Sequence, residues 1–327
     1  MIRKVFFHQH VAQGVADDLR AQLLPEVQLH CAEATPEPAD YHILIDAFPN
    51  QERLEASPAL QAVIIPFAGP PASTQALLRG YPQLSVHNAP YNAVPTAETA
   101  LALMMAAAKF VVKADAALRQ GDWRLRYGER PQLLLQGRTV LILGYGRIGR
   151  HMAPVCRALG MEVLGLRRTL QPEDAQDPHA SVYSIAELPD LLPRADVLLI
   201  ALPETPETVG LIDAAALARL PADALLVNVG RGAVVEEQAL YEALRDGRLA
   251  AAGLDVWYRY PKDEAARSHT LPSSYPFQDL DNVVLSPHRA GWLGRNDASN
   301  MRFLATMLNA AARGEDLPHQ IDLERGY

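Results

Sequence analysis

The chain has 327 residues, 49 % hydrophobic and 21 % charged, and 30 Lys+Arg against 38 Asp+Glu leave a formal net charge of −8. That length corresponds to about two domains of roughly 100–200 residues, in a composition that excludes disordered, collagen-like and coiled-coil chains. The acidic balance argues against non-specific nucleic-acid binding, which needs a cationic surface to release counterions, and no apolar run reaches the ~18 residues of a membrane span. Cys31 and Cys156 stand far apart, with neither a disulfide framework nor zinc spacing, so no metal is expected. The opening MIRKVFFHQH turns polar too soon for a signal peptide, and a cytoplasmic location is expected.

Short apolar runs alternate with amphipathic helical stretches along the chain. Strands are predicted at 5–7, 41–45, 62–67, 139–143, 161–166, 195–202, 224–229, 250–256 and 282–285. Most are continuous rather than alternating, as in strands buried on both faces of a parallel sheet. Helices are predicted at 12–23, 147–159, 214–220 and 236–245, with a last one over 295–312. Residues 96–119, rich in Ala and Leu and without Gly or Pro, read as one long helix at a seam between two α/β units. This helix is a candidate for a dimer surface or for packing within the chain. The tail GEDLPHQIDLERGY is too short to fold alone and is expected to pack on the first unit. The pattern is that of an α/β protein with two doubly wound parallel sheets.

The stretch Val140-Leu141-Ile142-Leu143-Gly144-Tyr145-Gly146-Arg147-Ile148-Gly149 reads strand, G-x-G-x-x-G, helix. Gly144 allows a tight turn, Gly146 the approach of a pyrophosphate, and Gly149 close packing of helix on strand. Arg147 and Ile148 open a helix whose N-terminal amides and dipole face the phosphates. The next strand decides the nucleotide. An NAD site places an acid at its end to take the ribose hydroxyls, but this chain has Arg167-Arg168 there. Two guanidiniums suit a 2′-phosphate, with Arg167 as the principal clamp and Arg168 as a second contact. NADP is the expected cofactor, with NAD as the alternative; a solvated basic turn is the bland reading of the pair.

Three later segments carry a resemblance: Asn228-Val229-Gly230-Arg231-Gly232, Gly253-Leu254-Asp255-Val256-Trp257 and Ser286-Pro287-His288-Arg289-Ala290-Gly291. With the glycine turn, Leu202-Pro203 and Thr208, they make the chain resemble the D-isomer-specific 2-hydroxyacid dehydrogenases over nearly its whole length, and in type the NADP-preferring glyoxylate/hydroxypyruvate reductases. The resemblance implies a Rossmann-type dinucleotide domain (96–294) inserted in a flavodoxin-like substrate domain (1–95 and 295–327). It implies hydride transfer between NADP(H) and a small D-2-hydroxy or 2-oxo acid, and a homodimer. Arg231 would hold the substrate carboxylate and polarise its carbonyl, since a planar guanidinium hydrogen-bonds two oxygens in fixed geometry. His288 would be the general acid/base. Thr96, Pro203, Val229, Asp255 and Gly291 match positions around the dinucleotide; Ala68, Gly69 and Asn92 match turns that meet substrate, although Ala68-Gly69 is equally an ordinary loop.

One position departs from the pattern. The family usually has a glutamate 29 residues after the arginine, bonded to the histidine; here Tyr260 stands there. A phenol does not raise a histidine pKa as a carboxylate does, so His288 is expected to titrate low. Tyr260 either orients His288 by a hydrogen bond or merely packs, and Asp263 or Glu264 could restore the charge. The uncharged partner keeps open a cofactor-binding sensor with little turnover, or formate- or phosphite-like oxidation. Trp257, Tyr258, Tyr260 and Trp292 suggest an aromatic-rich mouth.

Overall fold

The structure, a computed structural model, describes residues 3–8, 13–128, 132–294 and 298–324. Residues 12 and 295, where two helices and one domain limit were placed from the sequence, lie outside the described residues. The chain divides into two compact units, Met1–Asn92 with Trp292–Tyr327, and Ala93–Gly291.

The discontinuous unit contains β1 (Arg3–His8), α1 (Gln13–Ala21), β2 (Val27–Ala32), β3 (Ile43–Ile45), α2 (Gln51–Ala56), β4 (Ala62–Ile65), α3 (Ala72–Leu78) and β5 (Ser85–Asn88). Its parallel sheet runs β2-β1-β3-β4-β5, the flavodoxin-like order. Alternate residues of each strand serve opposite cores. Val5 and Phe7 pack with Leu304 and Leu308 of the last helix, Ala298–Ala312, while Phe6 packs with Leu44 and Leu78. Burial on both faces explains the unbroken apolar runs. The tail returns along β5: Ile321 N–H donates to Val86 O at 2.7 Å, Gln320 bridges His87 in antiparallel sense, and Ile321 is buried.

The second unit begins with α4 (Ala93–Ala108) and α5 (Val111–Leu118). Its strands are β6 (Thr139–Leu143), β7 (Glu162–Arg167), β8 (Ser181–Ser184), β9 (Val197–Ile200), β10 (Leu225–Asn228), β11 (Ala251–Leu254) and β12 (Val283–Leu285). Between them lie α6 (Arg147–Ala158), α7 (Leu188–Leu191), α8 (Ala214–Ala218) and α9 (Glu237–Arg245). The order β12-β11-β10-β9-β6-β7-β8 is all parallel, the Rossmann order with one further strand. The order reverses between β6 and β9, so a crevice opens beyond their carboxyl ends.

The single helix expected over 96–119 is two. Phe110 takes a left-handed backbone, φ 52°, and ends the first helix without a glycine or proline. Ala108 O accepts Leu133 N–H at 2.9 Å, and Phe110 packs partly buried against the core. Tertiary contacts thus override a sequence that favours helix throughout. The two pieces differ in burial: α4 buries Ala100, Leu103, Met104 and Ala107, whereas α5 buries nothing.

Candidate active site

The glycine loop closes directly on β6. Gly144 and Tyr145 both donate to Leu166 O, at 3.0 and 2.7 Å. Gly144 has φ +103°, and a Cβ there would lie 2.8 Å from the Ala201 carbonyl carbon, so neither backbone nor space admits a side chain. Gly149 faces Gly144 O and Ile142 Cγ2 in the same way, at 2.9 Å. Gly146 differs: nothing lies within 4 Å of the position a Cβ would take. That open cradle precedes the N-terminus of α6, where no side chain caps the helix and Arg147, Ile148 and Gly149 present the first-turn amides. The fit is to a diphosphate.

Tyr145 is buried between the glycines, under the Arg150 guanidinium at 5.5 Å and hydrogen-bonded to Asp177. Burial, reinforced by Asp177, pushes its pKa well above that of an ordinary phenol. Its ring fills the space over Gly165, where a Cβ would come within 2.6 Å.

Arg167 and Arg168 stand at the end of β7, and neither is a bare surface cation. Arg167 Nη1 donates to both oxygens of buried Asp174 at 2.9 Å, and Arg168 pairs with Glu207 at 3.4 Å. Beyond β9, Thr208 Oγ1 donates to Pro203 O at 2.7 Å and accepts Thr205 N–H at 2.8 Å, which fastens the turn following Leu202. Val229 is buried and donates to Ile200 O at 3.0 Å; Thr96 is buried in α4, and Gly291 is half-buried at the end of the unit.

Arg231 follows β10 on a turn bracketed by one buried side chain. Asn228 Oδ1 accepts Gly230 N–H and its Nδ2 donates to Arg231 O, both at 3.0 Å. Arg231 Nη1 donates to Gly230 O at 2.8 Å. Its remaining donors meet no acceptor among the described residues, so a fork is left for an anion.

His288 follows β12 with a left-handed backbone, φ 52°. Its turn is held by Asp255, which is fully buried after β11. Asp255 accepts Ser286 Oγ–H at 2.5 Å, Arg289 N–H at 2.9 Å and Ala290 N–H at 2.9 Å. The carboxylate therefore holds the residues on both sides of His288. His288 is exposed as a whole residue, yet crowding by protein atoms, and then repulsion from Arg231, hold its pKa below the ordinary histidine value; Asp255 opposes this.

Tyr260 lies against that imidazole, ring centroids 5.5 Å apart and planes inclined at 56°. Its hydroxyl accepts Trp257 N–H at 3.1 Å. Among the described residues no side chain hydrogen-bonds to the His288 ring. Tyr260 thus meets His288 ring against ring in a tilted pair, and its own pKa is raised, chiefly by burial. Asp263 and Glu264 do not restore the charge: Asp263 accepts Ala266 N–H, and Glu264 pairs with Arg267. Of the four aromatic residues expected at a mouth, Trp257 instead belongs to the core beside Phe277, with its indole N–H on Ser286 O. Tyr258 is largely buried, its hydroxyl on Val235 O at 2.9 Å. Tyr260 and Trp292 are exposed.

Ala68, Gly69 and Asn92 belong to the other unit. Ala68 O accepts Asn88 Nδ2 at 2.6 Å, which ties the turn after β4 to β5, and Asn92 is the unit's last residue before Ala93. Pattern reading did not find the roles of Asn228, Ser286, Tyr145 and Asp174. Gly165 inside a strand was the available signal for Tyr145, because such a glycine marks close approach. Only the bond from Gln171 N–H is local to Asp174; its guanidinium partners come from α6 and β7, which nothing local marks.

A family model described as "D-isomer specific 2-hydroxyacid dehydrogenase, NAD binding domain" matches residues 101–290. A glyoxylate reductase of Aeropyrum pernix is 39 % identical over 234 residues, 70 % of this chain and 66 % of that protein. A D-3-phosphoglycerate dehydrogenase of Archaeoglobus fulgidus is 37 % identical over 209 residues, 63 % of this chain and 36 % of that protein. The match thus spans just under two thirds of the first relative's length and about a third of the second's. A crystal structure of a D-isomer specific 2-hydroxyacid dehydrogenase from Xanthobacter autotrophicus Py2, in complex with NADPH and MES, superimposes with a TM-score of 0.80 at 28 % identity, covering 100 % of both chains.

Proposed function

Because the chain belongs to the D-isomer specific 2-hydroxyacid dehydrogenase family, we propose that it is an oxidoreductase that moves a hydride between NADP(H) and a small D-2-hydroxy or 2-oxo acid. The observation that carries this reading is the pairing of Arg231 and His288. They stand beyond the ends of β10 and β12, close enough for the guanidinium to depress the imidazole pKa. In this reading the unit Ala93–Gly291 is the dinucleotide domain and the discontinuous unit is the substrate domain, with Ala68, Gly69 and Asn92 at its substrate turns.

The nicotinamide, when bound, supplies or accepts the hydride. Arg231 binds the substrate carboxylate through the donors left after its bond to Gly230 O, and draws electron density from the adjacent carbonyl. His288 gives its proton to the carbonyl oxygen during reduction and takes it back during oxidation. Asp255 holds the turn that presents His288. The cradle at Gly146 and the amides of Arg147, Ile148 and Gly149 receive the diphosphate, and Thr96, Pro203, Thr208, Val229 and Gly291 line the site near it. Arg167 and Arg168 support NADP over NAD, since no carboxylate ends β7 to take the ribose hydroxyls.

The test is NADPH and NADH oxidation with a panel of 2-oxo acids: glyoxylate, hydroxypyruvate, pyruvate, phenylpyruvate and phosphohydroxypyruvate. NADPH consumption with at least one of them is expected. Arg231→Gln should lower kcat/KM on the order of a hundredfold, as a charged hydrogen-bonded contact is lost. His288→Asn should lower kcat by about 10²–10⁴. Tight NADPH binding without consumption on any acid would replace this reading by a sensor, which the uncharged Tyr260 beside His288 favours.

We also propose a homodimer. Among the described residues of 111–128 and 132–134, Val111, Val112, Leu118, Trp123, Tyr127 and Leu134 are exposed, a concentration of apolar side chains that a monomer rarely shows.

A further inference from the structure

Beside Arg167 stands a buried carboxylate outside every sequence motif. Asp174 lies in the 3₁₀ turn Pro172–Gln176 after β7 and is only 5 % exposed. Its Oδ1 accepts Arg150 Nη2 at 2.7 Å, both its oxygens accept Arg167 Nη1 at 2.9 Å, and Oδ2 accepts Gln171 N–H at 2.7 Å. Arg150 comes from α6, lies over the Tyr145 ring and also reaches Asp177 at 3.5 Å. One carboxylate therefore joins the helix of the glycine loop to the end of β7. Burial pushes the Asp174 pKa up, but Gln171 N–H and the two guanidiniums outweigh it and hold the carboxyl below its ordinary value, so it is ionised at neutral pH.

A guanidinium has five donors in a rigid fork. Asp174 engages Arg167 through Nη1 alone, and among the described residues Nη2 and Nε meet no acceptor. Arg167 is thus anchored at one corner, with the rest of the fork available to a ligand. Holding it in that pose lowers the ordering cost of binding. We propose that Asp174 is the positioning residue that makes Arg167 a 2′-phosphate clamp and so sets the preference for NADP over NAD; the proposal rests on the NADP reading above.

Two effects of Asp174 oppose each other. Its charge weakens the pull of Arg167 on a phosphate, whereas its hydrogen bonds hold Arg167 where the phosphate must meet it. The proposal asserts that positioning wins, and the sign of one measurement decides. Wild type and Asp174→Asn are titrated with NADPH and with NADH by calorimetry, without an acid substrate. Asp174→Asn should raise the NADPH Kd by about tenfold or more, as charged hydrogen bonds are lost, and leave the NADH Kd unchanged. In an Arg167→Gln background the same substitution should no longer change the ratio of the two Kd values. Where Asp174→Asn does not fold, Asp174→Ser, which keeps an acceptor for Gln171 N–H, is measured in its place. An NADPH Kd that falls or stays constant overturns the proposal, as does an equal rise for both cofactors or an undiminished effect without Arg167. A wild-type chain that binds both cofactors alike overturns the NADP reading and the proposal together; a wild-type preference that survives Asp174→Asn overturns the proposal alone.

Discussion

His288 occupies a left-handed backbone, φ 52°, which costs an L-residue about 1–2 kcal/mol. Three hydrogen bonds from the flanking residues 286, 289 and 290 to buried Asp255 offset that cost. The proton chemistry follows from what faces the ring. Crowding by protein atoms, and then Arg231, lower the pKa, and Tyr260 offers a tilted aromatic ring in place of a carboxylate. Reduction needs the imidazolium and oxidation the neutral ring. A depressed pKa therefore makes reduction decline at a lower pH as the medium turns basic, and lets oxidation persist further into acid. Tyr260→Glu places a negative charge beside the ring and raises its pKa. Both limbs should move to higher pH by about one unit or more, as read from pH profiles of kcat/KM in the two directions. Limbs that stay in place would show that residue 260 does not set the titration. Arg231 and His288 were legible because each sits in a short motif. The ring-on-ring contact and the Asp255 bonds were not, since they join residues about 30 positions apart.

Among the elements, the β6–loop–α6 segment shows two glycines with different reasons to be glycine. Gly144 is held by its own fold: its φ is +103° and a Cβ would strike the Ala201 backbone. At Gly146 an added Cβ would meet nothing within 4 Å, which leaves space on the side where a diphosphate would lie. Gly144→Ala should lower stability by more than about 1 kcal/mol, because alanine does not adopt that backbone without strain. Gly146→Ala should melt close to wild type yet raise the Kd for NADPH on the order of tenfold, since a methyl group intrudes where phosphate approaches. Thermal melts and cofactor titrations of the pair check this, and equal loss of stability in both would sink the distinction. The strand–glycine–helix pattern was readable because it is local. The break at Phe110 was not: nothing in 96–119 disfavours helix, and the break accompanies the bond from Leu133 to Ala108 and the inward packing of Phe110.

For the whole molecule, the division of α4 from α5 sharpens the question of assembly. The core of its own unit covers α4, while α5 exposes Val111, Val112 and Leu118, and Trp123, Tyr127 and Leu134 beyond it are exposed too. In the proposed homodimer a second copy covers the exposed apolar side chains of residues 111–128 and Leu134. The double variant Val112→Glu, Trp123→Asp should then sediment at half the wild-type mass, because buried unpaired carboxylates are costly; a monomeric wild type would dismiss the homodimer. The sequence by itself determined the fold class, the strand–helix alternation, the glycine turn and the segments bearing Arg231 and His288. Each of these depends on neighbours in the chain or on the continuous apolar runs that two-sided burial demands. The tertiary structure decided where the long helix divides, which aromatic residues enter the core, and that the Tyr260 ring lies against His288. It also decided that Asp174 grips Arg167 and Asp255 holds the histidine turn. The physical reason is the same throughout: a buried carboxylate or ring takes its partners from whatever strands and helices the sheet order brings together, and sequence distance does not encode that order.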